Sequence, residues 1–300
     1  LHQTPSTMRF TFFTALTIFL AATACGPAPT STAATTEAAT TDTVTTSTVA
    51  EGENQEMTKR GVTEAAPVEE LDPNFPASAK VDFNQVNLKP LCTNKYGCLQ
   101  EGFYPLGWSA DGKFAFLLEN TNEAVQNTTV HLVIQDMESD EEVLRQTFKA
   151  SEQAGYSEET DDHTAAGIWR ANEADYRKLL AEHQIQLGQG ITFLLPENLD
   201  ADHGVQIKTE DEKKKNVLFD IMMVDTHQLY ASKEGRSQKR VARQQMGKYD
   251  MVLQTKPLGY FQSPFEGRIA ILDAMEKRGY EGPPNVLKLQ LIGCDLDNGF

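Results

Sequence analysis

The reactive chemistry open to this chain rests on four cysteines, six histidines and scattered acids. Cys92 and Cys98 enclose a short polar loop, Thr-Asn-Lys-Tyr-Gly, and that spacing predicts a disulfide in an exported protein. Zinc does not fit, because the spacing is not that of a zinc knuckle and no histidine pair lies near it. Cys294 follows Leu287, Leu289, Leu291 and Gly293, so a buried apolar cysteine at a strand end is favoured over a reactive thiol. Glu266 and Glu281 are an acid pair of the type glycoside hydrolysis uses, which keeps an envelope hydrolase with acidic catalytic residues as the alternative function. His183 reads as a half-buried boundary residue of a helix rather than a ligand, and Met222-Met223 as core rather than a soft-metal site. The chain has no H-E-x-x-H, G-x-S-x-G or C-x-x-C motif and no glycine-rich phosphate loop after a strand; Gly107-Trp-Ser109-Ala-Asp111 is a near miss whose serine suits a turn. Asp295-Leu-Asp297-Asn298 lacks the glycine and distal Glu of a calcium loop. No catalytic residue, cofactor or metal ligand is therefore assigned. Trp108, Tyr260 and Phe261 are the candidate binding residues: an exposed patch would dock a ligand, whereas burial would make them core.

Composition narrows the partners. Of 300 residues, 27 are Lys or Arg and 43 are Asp or Glu, a net charge of −16, which argues against nucleic acid because a phosphate backbone must be met by basic side chains. Acids gather in residues 138–162 and bases in 233–248, so the two segments either face one another, dock a partner, or form solvated loops, the last being favoured.

The N-terminal region carries an address. Met8-Arg9 precedes the apolar run from Phe10 to Ala22, which falls short of the ~20 residues needed to cross a bilayer and so reads as a cleaved export signal starting at Met8. Ala22-Thr-Ala-Cys25-Gly26 resembles the lipobox of bacterial lipoproteins, although Ala22 stands where that family more often has Leu. The resemblance implies acylation of Cys25 and a lipid-anchored place in the bacterial cell envelope. Gly26 rather than Asp after the cysteine implies sorting to the outer membrane, facing the periplasm. Ala22-Thr-Ala24 is equally a cleavage site for ordinary secretion. Residues 25–80 are rich in Thr, Ala, Ser and Glu and poor in apolar surface, which predicts a disordered tether. A coil of ~50 residues would span roughly 40 Å. Residues 81–300 then form one folded domain.

Within that domain three segments recur in order. Pro105-Leu-Gly-Trp108 returns as Pro257-Leu-Gly-Tyr260, Gly112–Leu117 as Gly267–Leu272, and Val130–Ile134 as Val286–Leu291, at offsets of 152, 155 and 156 residues. Two copies of one strand–turn–strand–loop–strand unit account for this order. The turn in Trp108-Ser-Ala-Asp-Gly-Lys113 supplies the Asp-Gly pair of a tight hairpin, and the segment resembles the W-S-x-D-G-K hairpin of TolB-type propellers. The closing segment, Ser263–Ala270 and Gly279–Pro283, is similar to an uncharacterised family of bacterial secreted proteins, which implies no activity. Asn172-Glu-Ala-Asp175 with Tyr176, Leu179, Leu180 and Leu187 predicts an amphipathic helix over 173–186. Val205–Ile207 and Asn216–Asp225 read as strands, the second returning near 228–231. The expected fold is α+β, mainly antiparallel β, with two pseudo-repeated β units and an inserted helix. The expected function is a lipid-anchored, non-enzymatic binding or scaffold module for an envelope protein or small ligand.

Overall fold

The computed structural model describes residues 75–122, 127–149, 164–217, 219–279 and 282–300. The signal segment, Cys25, most of the tether and Glu281 lie outside them. The described chain is mostly antiparallel β. In order it forms β1 (Cys98–Gln100), β2 (Gly102–Trp108), β3 (Lys113–Asn122), β4 (Asn127–Asp136), β5 (Glu142–Lys149), α1 (Ala165–Glu182), β6 (Gln186–Leu187), α2 (Pro196–His203), β7 (Val205–Asn216), β8 (Ile221–Lys233), β9 (Gln238–Gln245), β10 (Val252–Gln262), β11 (Arg268–Lys277) and β12 (Asn285–Asp295). Three sheets result, with strand orders β5-β4-β3-β2-β6, β1-β12-β11-β10 and β7-β8-β9. Among the described strands only β1 and β12 pair in parallel.

Strand alternation explains how the layers stack. In β3, Phe114 and Phe116 enter the core shared by the first two sheets, while Ala115 and Leu117 face α1 on the other side. In β11, Ala270 and Leu272 enter the shared core while Ile269 and Ile271 face the third sheet and α2. A strand buried on both faces needs a near-continuous apolar run, and both segments have one. The shared core centres on Phe103, Phe114, Phe116 and Phe261, whose successive ring centroids lie 5.0–6.3 Å apart.

Two meanders, β2–β3–β4 and β10–β11–β12, have the same irregularity. A register shift falls between Pro105 and Gly107 in one and between Pro257 and Gly259 in the other. The segment after α1 crosses both sites. Gly188 donates its N–H to Leu106 O at 2.8 Å, and Leu194 and Tyr260 exchange backbone bonds at 2.9 Å. A Cβ on Gly107 would collide with the Gln186 carbonyl oxygen, and one on Gly259 with that of Leu194. Close backbone approach therefore demands glycine in both Pro-Leu-Gly segments.

Several expected boundaries move. The helix starts eight residues early, at Ala165, with the Thr164 side chain accepting the Gly167 N–H as its cap. Asn172 marks a kink instead of a start: its φ and ψ are −122° and 19°, and its Nδ2 donates to Ile168 O. The helix ends at Glu182 rather than 186, with His183 half-buried at its C-cap. β7 ends at Asn216, so the strand read as 216–225 begins at Ile221 and runs unbroken through the expected return near 228–231 to Lys233. Phe75, which precedes Val81 in the chain, packs edge-on against Trp169 at 5.6 Å. Of the six bases read as a loop at 233–248, Lys239, Arg240 and Arg243 belong to β9 and Lys233 ends β8.

Gly107→Ala and Gly259→Ala should each lower stability by about 1–3 kcal/mol by forcing the overlying backbone away. Urea-unfolding midpoints check this; midpoints at the wild-type value would contradict the close approach.

Candidate functional site

The only histidine flanked by carboxylates in the described chain lies in the seam between the third sheet and the sandwich. Register sets the first pair: Asp211 of β7 stands directly opposite His227 of β8. His227 Nδ1 lies 2.8 Å from Asp211 Oδ1 and 3.0 Å from the Thr255 hydroxyl of β10. That hydroxyl donates to Asp211 Oδ2 at 2.8 Å. On the opposite edge of the ring, Nε2 faces Asp273 Oδ2 of β11 at 3.3 Å, an ion-pair contact that misses hydrogen-bond alignment. Gln290 of β12 donates to the same carboxylate oxygen at 3.0 Å. His227 and Asp273 are fully buried.

Two carboxylates in low dielectric are costly unless a cation lies between them. Burial by itself would push the imidazole pKa down; the carboxylates on either side, Asp211 by its hydrogen bond and Asp273 by its charge at 3.3 Å, outweigh it and hold His227 up at about 9. The ring is thus an imidazolium at neutral pH, with a proton on each nitrogen. A general base must have a free lone pair and reach a substrate, and this ring has neither. A metal fares no better, because the carboxylates sit at opposite nitrogens and share no common vertex. Among the described residues no group of three or more His, Cys, Asp or Glu is arranged to hold a metal ion.

An accessible cleft lies at the end of the same sheet. Residues 214–217, 223–225 and 246–248 enclose an open cleft of about 570 Å³, within the usual range for small-molecule sites. Its floor is Met223, Val224 and Met246, which are buried. Its rim carries Lys214, Lys215 and Lys248, with Asp225 as the one acid among the lining residues. Met222, expected in the core, is 53% exposed beside it.

The other singled-out residues are dispersed. Trp108, Tyr260 and Phe261 are at most 2% exposed, so they form core and no surface patch. Trp108 Nε1 donates to Gly190 O, and Phe261 stacks on Phe103 and Phe114. Cys92 and Cys98 form a disulfide with Cα atoms 5.3 Å apart. The Cys92 N–H is accepted by the buried Glu276 carboxylate. Cys294 is a buried free thiol whose pKa is raised, chiefly by burial. Glu266 is paired with Arg268 at 2.7 Å, and its expected partner, Glu281, lies outside the described residues. Sequence reading missed His227 and its carboxylates. A signal was present: Asp273 interrupts the apolar run Ile269–Met275, and a carboxylate inside a doubly buried strand requires a partner.

No protein-family model, curated protein or solved structure matches the chain.

Because the folded pKa of His227 is raised, its contribution to stability is full below about pH 6.5 and is lost as pH rises through about 9. The maximum loss is about 3 kcal/mol, taking ~1.4 kcal/mol per unit. Wild-type unfolding free energy should fall between pH 6.5 and 9.5, and Asp211→Asn should flatten that fall. Equal slopes in the two proteins would refute the assignment.

Proposed function

We propose that the chain is a non-enzymatic, lipid-anchored binding module of a bacterial envelope. An acylated Cys25 and the Thr-rich tether hold it to the outer membrane on the periplasmic side, and the free end of β7–β9 meets its partner. One observation carries the binding reading over catalysis: the His–carboxylate cluster is sealed in a seam, whereas the accessible cleft has an apolar floor and a lysine rim. Apolar surface with a few convergent charges suits recognition, and this cleft brings together no acid pair that hydrolysis would use. The hydrolase alternative gains no support from Glu266, which is engaged with Arg268.

The two meanders are, in this reading, copies of one β unit, giving an α+β fold with pseudo-repeated halves. Their shared register shift and the matching hydrogen bonds that close their turns favour it: Met137 donates to Gly112 O as Leu296 donates to Gly267 O. Between the copies, the chain adds α1 on one side of the sandwich and β7–β9 on the other. The inserted sheet is thus the element free to acquire its own surface chemistry. Residues 205–248 hold ten Lys or Arg and six Asp or Glu, in a chain whose net charge is −16.

Intact mass of the chain from bacterial membranes should show a mature protein starting at Cys25 with acyl mass, absent from Cys25→Ala. Hydrogen exchange on those membranes, compared with the detergent-extracted protein, should show added protection at 216–222 and 246–250. An unacylated chain would overturn the anchor, and unchanged exchange at both segments would overturn the binding reading.

A further inference from the structure

Apolar side chains that stand out from a surface, instead of lining a pocket, need an occupant that comes to them. Of the six large hydrophobic residues exposed among the described residues, three cluster here: Val217 at 92%, Tyr249 at 83% and Met222 at 53%. Val217 occupies the β7–β8 turn and Tyr249 the β9–β10 connection, and the cleft lined by both segments joins them. Lys213, Lys214 and Lys215 precede Val217 with Asn216 between, and Lys248 immediately precedes Tyr249. Arg278 stacks over the Phe219 ring of the first turn at 4.3 Å. The acids of the region are Asp220, paired with Lys215 at 2.5 Å, Asp250, paired with Lys277, and Asp225 in the cleft. Basic charge is therefore in excess at this tip, on a chain that is acidic overall.

From this juxtaposition we infer that the tip is a docking surface for an anionic phospholipid bilayer. The inference rests on the reading of this tip as the binding surface and deepens it by naming the occupant. Charge complementarity selects the bilayer. Lysines flanking protruding apolar groups keep their ammonium heads among phosphates while their stems and the apolar residues enter the interface. Tyrosine favours the same depth, with its ring in the apolar boundary and its hydroxyl wet. Shape agrees: Val217, at the edge of the cleft, is 92% exposed, more than a side chain that encloses a small ligand would be. Each lysine near an anionic surface strengthens partitioning about fivefold, an effect confined to about a Debye length. The acidic remainder of the chain is repelled by that surface, so contact is restricted to the tip.

The test uses the full chain carrying Cys25→Ala, so that no acyl group binds the vesicles, and co-sedimentation with phosphatidylcholine vesicles containing or lacking phosphatidylglycerol. The expected result is binding to the anionic vesicles alone, weakened at least tenfold by Val217→Asp and by Lys213, Lys214 and Lys215→Gln together. It should weaken with salt and be unaffected by Val143→Asp, at an exposed apolar position on β5. Both variants alter exposed turn or strand-end side chains, and thermal unfolding verifies that they fold. No anionic-vesicle binding, or binding indifferent to the tip variants, overturns the inference. Saturable binding of monomeric dodecanoate without vesicle binding also overturns it, in favour of a small amphiphile. If exchange at the tip is protected on bacterial membranes while pure lipid vesicles are not bound, the binding reading stands and the lipid inference alone falls.

Discussion

One imidazolium between two carboxylates holds the third sheet in place. Along β8 the seam runs from Ala231 and Leu229, which join the apolar cluster with Ile269, Ile271 and Ile292, to His227. Beyond it lies a second apolar cluster of Val224, Met246, Val252 and Met275. The charged group therefore sits between two dry patches that keep water from it, and low dielectric strengthens each of its contacts. Had the histidine been neutral, the part-buried Asp211 and the fully buried Asp273 would be like charges on facing sheets with no cation between them, and the seam would be repulsive. The arrangement fixes register as well as attachment: a one-residue slip of β8 would turn His227 to the outer face and leave Asp273 with Gln290 alone. The tip, at the far end of the second cluster, inherits its position from this clasp.

The division between a sealed charged seam and an open apolar tip organises the functional reading. Several buried titratable groups have structural partners: His227 and its carboxylates in the seam, Glu276 on Cys92 and Asn285, and Glu119 on Tyr104 and the Ala165 N–H. The open cleft of the inserted sheet is lined by lysines and apolar side chains, the combination on which the proposed binding role rests. Under the proposed anchoring, the charge asymmetry between the acidic body and the basic tip would set which end faces an anionic surface.

Local signals made much of the framework legible. Asp-Gly in the first hairpin, the short Cys92–Cys98 loop and the alternating apolar strands specify their own geometry, because each depends on neighbours close in sequence. Errors arose where distant contacts decide. Asn172 carries a start signal, yet Trp169 and Ile168, packed under Phe75 and Tyr176, extend the helix past it. Asn216–Phe219 has strand propensity, yet Asp220 adopts a φ of 55° and the chain turns. Trp108 and Phe261 resemble a binding patch by type, and only the facing sheet reveals them as core. The seam was the least legible, since Asp211, His227, Thr255, Asp273 and Gln290 come from five strands and no spacing relates them.

The most direct test of the central claim is the protonation state of His227, read from its side-chain ¹⁵N shifts in the folded chain. The clasp predicts that both ring nitrogens carry protons at pH 7.5, with a titration midpoint near 9. A neutral ring at that pH, with a midpoint at or below about 6.5, would contradict it and leave the third sheet held by its apolar clusters and its neutral hydrogen bonds.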